Sequence, residues 1–376
     1  MTERGLVRIA DLLTHRASIG DQIDSALMKV ISHGHFIMGP EVKQLEADLV
    51  QYCGASSAVT CGNGTDALVL ALRALGVGVG DGVIVPAFTF AASAEAPALV
   101  GATPVFVDVD PETWCIDPSG IKAGLDAARS AGLIPRAVIA VDLFGQPADY
   151  RRLQVVTSES GLFLVADAAQ SFGGTREGLR VGSLAPVTAT SFFPTKPLGC
   201  YGDGGAVFTQ DPELANVVAS LRTHGMGDHK YDHVRVGTNS RLDTIQAAVL
   251  IEKLTVLDEE LKLRQEAAGR YLEMMDGELE TQSVLSGSTS TWAQFAVRVD
   301  GSSRERIRER LSTVGVETAV HYPLPLNRQP AFREFPTATN LGVSELLATE
   351  VLALPLHPWI EPAEQERVVE ALLGVK

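Results

Sequence analysis

Residues 136–169 read RAVIAVDLFGQPADYRRLQVVTSESGLFLVADAA, and this stretch carries the pattern that decides the fold. It begins with an apolar run over 136–144, continues with a segment of helical character over 148–160, and ends with a second apolar run over 162–169. Short apolar runs of this kind predict buried strands. A strand, a helix and a second strand in this order predict two parallel strands joined by a helical crossover.

The same alternation is present toward the N-terminus. Residues 82–87 and 103–109 are predicted to be further buried strands, and residues 64–75 are predicted to form a helix. Strands buried on both faces are typical of a mostly parallel sheet covered by helices on both sides. The predicted fold class is therefore α/β with a doubly wound sheet. In such folds, ligands bind beyond the carboxyl ends of the strands.

From Asp243 onward the pattern changes to that of a smaller α+β domain. One or two long helices are predicted over 243–275, and further elements are predicted as helices over 303–315 and 362–373 and strands over 292–299 and 316–322. We place the boundary near residue 250. This predicts a large α/β domain over 1–250 and a small α+β domain over 251–376.

Composition excludes several classes of protein. The chain has 376 residues, of which 45% are hydrophobic and 20% charged, as in ordinary soluble globular proteins. A formal net charge of −15 argues against general nucleic-acid binding. Four widely spaced cysteines without a CxxC pair argue against a disulfide framework or a zinc site, and we expect no metal.

Neither a secretory signal nor a membrane span is expected from the apolar segments. The first residues contain no long apolar run, and the most apolar region, 83–107, is interrupted by Pro86, Glu95 and Pro104. We therefore expect a cytoplasmic protein without a membrane partner.

One motif has the character of an anion site. In CGNGTDALVLAL (61–72) a glycine-rich turn leads directly into an apolar helix, and Gly64 and Thr65 stand at the helix start. Free backbone amides and the helix dipole favour an anion there. Ser191 can add a hydroxyl to the same anion. On its own, this motif is explained equally well as a turn followed by an ordinary helix cap.

Two further motifs contain charged residues in apolar surroundings. Asp167 ends the apolar strand in VADAAQS (165–171), where a carboxylate is costly without a cationic partner. Lys196 lies between two prolines in SFFPTKPLGC (191–200), and a desolvated lysine can act as a nucleophilic amine. A solvated loop aspartate and a lysine that reaches water from a loop edge are the alternative interpretations.

A fourth motif is GTNSRLDTIQAA (237–248), with Asn239 and Arg241 before a long helix. Arg241 can pair with a carboxylate or a phosphate, although simple helix capping also accounts for the motif. Together, the four motifs describe a ligand with a phosphate, a ring nitrogen and an aldehyde, and Phe90 offers a platform for its flat ring. That ligand is pyridoxal phosphate.

The chain also resembles a known family in the order and spacing of its motifs. They are GNGTDAL (62–68), PAFTFAAS (86–93), PVFVDVDPETW (104–114), DLFGQPAD (142–149), ADAAQSFG (166–173), SFFPTKPLGCYGDGG (191–205) and GTNSRLDTIQAA (237–248). This order resembles the DegT/DnrJ/StrS-type sugar aminotransferases, which have the aspartate aminotransferase fold (fold type I). The resemblance implies a mostly parallel seven-stranded central sheet and pyridoxal 5′-phosphate as cofactor.

The resemblance also implies a role for individual residues. Lys196 would form the covalent link to the cofactor and transfer the proton, and Asp167 would pair with the ring nitrogen. Gln170 would lie near the ring hydroxyl and Phe90 on the ring face. The phosphate would be surrounded by Gly64, Thr65, Asp66 and Ser191. Asn239 would reach the phosphate in the neighbouring subunit, which implies a homodimer with shared active sites.

A narrower resemblance concerns the substrate. Three stretches are similar to the branch acting on UDP-2-acetamido-3-keto-glucuronate, in lipopolysaccharide sugar assembly: SFFPTKPLGCYGDGGAVFT (191–209), HVRVGTNSRLDTIQAAVL (233–250) and ETAVHYPLPLNRQPAF (317–332). This implies that Arg241 faces the sugar carboxylate and that His321 and Tyr322 line the sugar site. The family resemblance implies L-glutamate as the amino donor, and two successive half-reactions on one cofactor predict ping-pong kinetics.

Other functions remain open at this point. A TDP-linked 3- or 4-keto-6-deoxysugar aminotransferase of an antibiotic or surface-glycan pathway shares part of the pattern. A lyase or dehydratase on the same scaffold, or a regulatory protein that has kept the fold, are further alternatives. Some family members carry a histidine at the Schiff-base position and act as dehydratases, so Lys196 favours transamination.

Overall fold

A computed structural model describes residues 5–229 and 231–374, which alternate between helices and strands over most of their length. The helices are α1 (Leu12–His33), α2 (Pro40–Cys53), α3 (Gly64–Ala74), α4 (Ala92–Leu99), α5 (Ile121–Ser130), α6 (Tyr150–Ser160), α7 (Pro212–Leu221), α8 (Thr244–Leu254), α9 (Leu257–Met275), α10 (Arg304–Thr313), α11 (Gly342–Glu350) and α12 (Pro362–Leu373). The strands are β1 (Ser57–Cys61), β2 (Asp81–Pro86), β3 (Thr103–Val107), β4 (Ile134–Val141), β5 (Phe163–Asp167), β6 (Thr175–Arg176), β7 (Leu179–Arg180), β8 (Val187–Ser191), β9 (Gly205–Thr209), β10 (Ser288–Thr289), β11 (Phe295–Arg298) and β12 (Val351–Leu354). Within these residues, no helix has both the length and the apolar character needed to span a membrane.

Capping residues explain where several of these helices begin and end. Asp11 accepts hydrogen bonds from backbone N–H groups at the start of α1, and Asp149 does so at the start of α6. Gly34 and Gly161 follow the same two helices with positive φ, a conformation that favours glycine. The helix boundaries therefore follow from local sequence.

A seven-stranded sheet forms the centre of the molecule, in the order β1-β9-β8-β5-β4-β2-β3. The pairs β2/β3, β2/β4, β4/β5 and β5/β8 are parallel, whereas β9 runs antiparallel to both of its neighbours. The predicted α/β class and the mostly parallel seven-stranded sheet are confirmed. The opening stretch forms β4, α6 and β5, with β4 and β5 adjacent and parallel.

The carboxyl ends of the strands bring the predicted motifs together. Asp167 is the last residue of β5 and Ser191 is the last residue of β8, and these two strands are neighbours. Phe90 follows β2 just before α4. Side chains that are far apart in sequence therefore meet at one edge of the sheet.

The C-terminal part contains the predicted helices and one of the two predicted strands. The region 243–275 forms two helices, α8 and α9, and the strand predicted over 292–299 is β11, which pairs with β12. The strand predicted over 316–322 is wrong. Within it, only isolated bridges occur, from Val316 to Val7 and from Ala319 to Ala353. The chain diverges from β12 after Ala319, because the following residues turn toward a cavity described below.

Each of the two largest hydrophobic cores combines segments that are far apart in the sequence. One core combines the central sheet with residues 326–351, including Phe332 and Leu347. A second core is built from α9, α10, α12, β11 and β12, and Val7 packs into it. The division of the chain at residue 250 stays a prediction, since segments from both sides of that position share each of these cores.

Candidate functional site

A cavity of about 700 Å³ opens at the carboxyl ends of the strands. Ten of the twelve predicted site residues line it: Gly64, Thr65, Asp66, Phe90, Asp167, Gln170, Ser191, Lys196, His321 and Tyr322. Asn239 and Arg241 do not. The lining also includes residues that sequence reasoning had not singled out, among them Asn63, Thr89, Phe193, Thr195, Asp203 and Gln294.

One end of the cavity is formed by the N-terminus of α3. Asn63 caps the helix, and its Oδ1 accepts a hydrogen bond of 2.8 Å from the backbone N–H of Asp66. Across the described ranges, 5–229 and 231–374, the N–H groups of Gly64 and Thr65 have no hydrogen-bond acceptor. Two unsatisfied donors at a helix start are suited to an anion.

Gly64 is required by the close approach of α3 to β8. A Cβ atom added at Gly64 would lie 2.7 Å from Ser191 Cβ and 3.1 Å from Ser191 Oγ. The absence of a side chain therefore lets the helix start and the Ser191 hydroxyl form one concave surface. This surface, made of Gly64, Thr65 and Ser191, is called the phosphate cradle below.

Asp66 connects the phosphate cradle to the segment that contains Asn239 and Arg241. Its Oδ2 accepts a hydrogen bond of 2.6 Å from Ser240 Oγ, which in turn accepts one of 3.0 Å from the backbone N–H of Gly62. Ser240 is buried, but Asn239 is exposed and Arg241 is half-buried outside the cavity. The two predicted residues thus lie beside the site of their own chain rather than in it.

Asp167 is a buried carboxylate, with 7% of its surface exposed. Its Oδ2 accepts a hydrogen bond of 2.7 Å from Ser93 Oγ, and its Oδ1 accepts a longer one of 3.3 Å from the backbone N–H of Ala169. Burial raises the pKa of Asp167, and both the Ser93 hydrogen bond and the charge of Lys196 oppose this rise. A cationic partner would stabilise such a carboxylate.

Lys196 lies in the loop between β8 and β9, where its backbone N–H donates to the carbonyl of Phe193 at 2.9 Å. Burial lowers the pKa of Lys196, and only the charge of Asp167 opposes this. No carboxylate within the described part of the chain forms an ion pair with its Nζ. A lowered pKa increases the share of the neutral, nucleophilic amine.

Polar and aromatic side chains form the remaining wall. Gln170 Nε2 donates to the hydroxyl of Tyr322 at 3.3 Å, while its Oε1 accepts from the backbone N–H of Phe144 at 2.6 Å. Phe90 is 57% exposed, and its ring centroid lies 6.1 Å from that of Tyr322. Burial lowers the pKa of His321, and the Lys196 charge adds to this effect, so His321 is neutral near pH 7.

Sequence reasoning missed two further polar groups in and behind this wall. Ser93 in α4 donates to Asp167, and Thr89, which lies before α4 and lines the cavity, contacts Ser93, but nothing in the motif signalled a link to Asp167. Asp142, at the end of β4, is fully buried and accepts hydrogen bonds from Tyr150 and Ser171, both at 2.6 Å.

Comparison with known proteins identifies relatives that are named as nucleotide-sugar aminotransferases. A UDP-2-acetamido-2-deoxy-3-oxo-D-glucuronate aminotransferase of Pseudomonas aeruginosa is 44% identical over 98% of this chain and 99% of its own length. A dTDP-3-amino-3,4,6-trideoxy-alpha-D-glucose transaminase of Streptomyces venezuelae is 38% identical over 97% of this chain and 95% of its own. Among solved structures, S. venezuelae DesV in complex with a ketimine intermediate is 38% identical, with a TM-score of 0.93 over 98% of both chains.

The family itself is identified by a match that extends over almost the whole chain. The pattern of the DegT/DnrJ/EryC1/StrS aminotransferase family matches residues 17–373, which include every motif named above and the whole cavity lining. The chain belongs to the DegT/DnrJ/EryC1/StrS aminotransferase family.

Proposed function

We propose that this aminotransferase, with pyridoxal phosphate as its cofactor, transfers an amino group from L-glutamate to the keto carbon of a nucleotide-linked sugar. The observation that carries the proposal is the arrangement of three groups in one cavity. A lysine with a lowered pKa, a buried carboxylate and a phosphate cradle are the three protein groups that pyridoxal phosphate needs.

The cavity residues fit the cofactor. The phosphate cradle offers two unsatisfied backbone N–H groups and the Ser191 hydroxyl to a phosphate. The exposed face of Phe90 offers a surface for a flat ring. Asp167, whose pKa is raised by burial, gains a cationic partner if a protonated ring nitrogen lies against it.

Each side chain then has a defined task. When bound, pyridoxal phosphate supplies an aldehyde carbon that carries the amino group and a ring that takes up electrons. Asp167 would hold the proton of the ring nitrogen by charge. Lys196 Nζ would accept the proton from Cα of the amino donor and later return it, because burial lowers the pKa of Lys196 and so increases the share of the neutral amine.

We propose that the sugar is a UDP-2-acetamido-3-keto-glucuronate, for which the name of the 44% identical P. aeruginosa relative is the main support. Such a sugar carries a carboxylate, yet no arginine of the described residues lines the cavity. Arg241 lies just outside it, on the segment that Ser240 joins to Asp66. His321 and Tyr322 are placed in the lining and would contact the sugar.

We also propose a homodimer with shared sites. Asn239 is exposed and Arg241 half-buried, and neither reaches the cavity of its own chain. In the dimer, these two side chains would enter the cavity of the second copy, where Arg241 would supply the guanidinium group that the described part of the cavity lining lacks. A cytoplasmic location is supported by the four cysteines, which are all buried and free, as is usual in a reducing compartment.

The TDP-linked alternative is supported by the 38% identical S. venezuelae relative. A 6-deoxy sugar has no carboxylate at C6, so the two substrates differ in their demand for Arg241. This difference separates the two candidate functions in one assay.

The decisive experiment has two half-reactions. The purified protein loaded with pyridoxal phosphate is mixed with L-glutamate, and we expect stoichiometric 2-oxoglutarate together with loss of the cofactor's visible absorption. The aminated protein is then mixed with UDP- and TDP-linked ketosugars, and we expect the absorption to return fastest with the 3-keto-uronate.

Lys196→Ala is the control, since the variant keeps the phosphate cradle but lacks the amine. It should bind the cofactor without turnover. Failure of the wild-type protein to take up pyridoxal phosphate would refute the aminotransferase proposal. If the absorption returned only with TDP-linked deoxysugars, the UDP-linked 3-keto-uronate would be refuted as the substrate and a TDP-linked ketosugar would take its place.

A further inference from the structure

Ser93 lies directly behind the carboxylate of Asp167, in the first turn of α4. Its Oγ donates a hydrogen bond of 2.7 Å to Asp167 Oδ2, and its side chain is fully buried. Thr89 Oγ1 lies 3.1 Å from Ser93 Oγ, and Thr89 itself lines the cavity. Three buried polar side chains therefore form a continuous chain that ends at Asp167.

The direction of these hydrogen bonds follows from counting protons. An ionised carboxylate can only accept, so the single hydroxyl proton of Ser93 goes to Asp167. The Ser93 oxygen is then free to accept, and Thr89 has to donate to it. A protonated Asp167 would not impose this order.

The chain therefore stabilises the ionised form of Asp167 in a place where burial opposes it. The pKa of Asp167 is raised by burial, and the hydrogen bond from Ser93 is the largest effect acting against that rise. A hydrogen bond between a hydroxyl and a charged carboxylate is stronger than one between neutral groups, and it also fixes the orientation of the acceptor. The bond is made to Oδ2, and Oδ1 has only the 3.3 Å contact with Ala169.

We propose that Ser93 is a positioning residue that keeps Asp167 ionised and oriented, so that Asp167 holds the cofactor's ring nitrogen in its protonated form. Thr89 acts in the same direction through Ser93, with a smaller effect because it is one hydrogen bond further away. The inference rests on the placement of the ring nitrogen at Asp167 in the proposed function.

Other titratable groups also influence Asp167 and remain unchanged in the test. Lys196 and Tyr322 face it from the cavity, and Asp142 and Tyr150 lie behind it on the side of β4. Differences between variants at Ser93 therefore report the hydroxyl itself.

The test observes the proton directly. Apoprotein is reconstituted with pyridoxal phosphate carrying nitrogen-15 in the ring, and the chemical shift of that nitrogen is followed by NMR across a pH series. In the wild-type protein we expect a protonated ring throughout. In Ser93→Ala the shift should move toward the neutral-ring value. The Kd for the cofactor should rise about tenfold, because Asp167 without the Ser93 hydrogen bond is more readily protonated and attracts the protonated ring less strongly. Thr89→Val should show the same change at smaller size.

Ser171→Ala is the matched control. Ser171 is also fully buried and donates to a buried carboxylate at 2.6 Å, but its acceptor is Asp142. The nitrogen shift of this variant should equal that of the wild type. An equally large change in Ser171→Ala would overturn the specific role of Ser93, because it would indicate general disturbance of the core.

The remaining outcomes separate this inference from the proposed function. A wild-type nitrogen shift in Ser93→Ala, with an unchanged Kd, would overturn the inference alone. A neutral ring in the wild type, or a shift that does not respond to Asp167→Asn, would overturn the placement of the ring in the proposed function. If Ser93→Ala does not fold by circular dichroism, Thr89→Val decides, and a wild-type shift there refutes the hydrogen-bond chain.

Discussion

Substituting Gly64 with alanine tests whether the phosphate cradle depends on contact between α3 and β8. The new Cβ would lie 2.7 Å from Ser191 Cβ and 3.3 Å from Ser191 Cα. Carbon atoms in contact are usually at least 3.4 Å apart, so the helix start and the end of β8 would separate by roughly 0.7 Å. Backbone on both sides resists this, since β8 is paired with β5 and β9.

The expected loss of affinity follows from that displacement. A shift of about 0.7 Å lengthens a hydrogen bond from about 2.8 Å to about 3.5 Å, where little of its energy remains. Each hydrogen bond to a phosphate contributes about 1.5–3 kcal/mol. Losing one of them weakens binding of pyridoxal phosphate by about 10- to 100-fold.

The assay is a titration of apoprotein with pyridoxal phosphate, followed by absorption and by quenching of tryptophan fluorescence. Gly269→Ala in α9 is the control, because nothing lies within 4 Å of the added Cβ and the backbone is helical. It should leave the Kd unchanged and stabilise the protein slightly, since alanine is the better helix former. A Kd within twofold of wild type for Gly64→Ala, in a variant that melts normally, would refute the role assigned to this contact.

Two other substitutions each test the role of one charged side chain. Burial raises the pKa of Asp142 from 3.8 to about 7, so the folded protein binds the proton more tightly than the unfolded chain, and the free energy of unfolding should fall as the pH rises through that interval. Asp142→Asn should flatten this slope in chemical denaturation of the apoprotein, and an unchanged slope would assign the titration to another group. Arg241→Ala should lower kcat/KM at least tenfold for a 3-keto-uronate but not for a ketosugar without a carboxylate. Arg151→Ala, on the exposed face of α6, is its control, and equal losses with both sugars would exclude carboxylate recognition by Arg241.

Those parts of the fold that depend on local pattern could be predicted from the sequence. The runs that became β4 and β5 are apolar and buried over 137–141 and 164–166, as expected for strands in the centre of a sheet, and Gly64 and Lys196 could be singled out because four motifs together described one ligand. The sequence pattern failed for residues 316–322, since a strand also needs a neighbour, and β12 pairs with this segment only at Ala319.

The site residues that could not be predicted act through contacts distant in sequence. Ser93 is an ordinary helix serine until the fold brings it within 2.7 Å of a carboxylate 74 positions away. Asp142 lies in a motif that the family shares, but its burial depends on the packing of β4 between two other strands. The sequence also did not predict that no arginine of the described residues lines the cavity.

The reversed strand β9 has a consequence for how tightly the cofactor can bind. Because β8 and β9 are antiparallel, Ser191 pairs with Gly205, and the loop that carries Lys196 is closed at its base by the sheet. Within the loop, the backbone N–H of Cys200 also donates to the carbonyl of Phe192 at 2.8 Å. The conformational entropy of this loop is thus lost when the chain folds, and not when the ligand arrives. The preorganised loop leaves more of the interaction energy available as affinity.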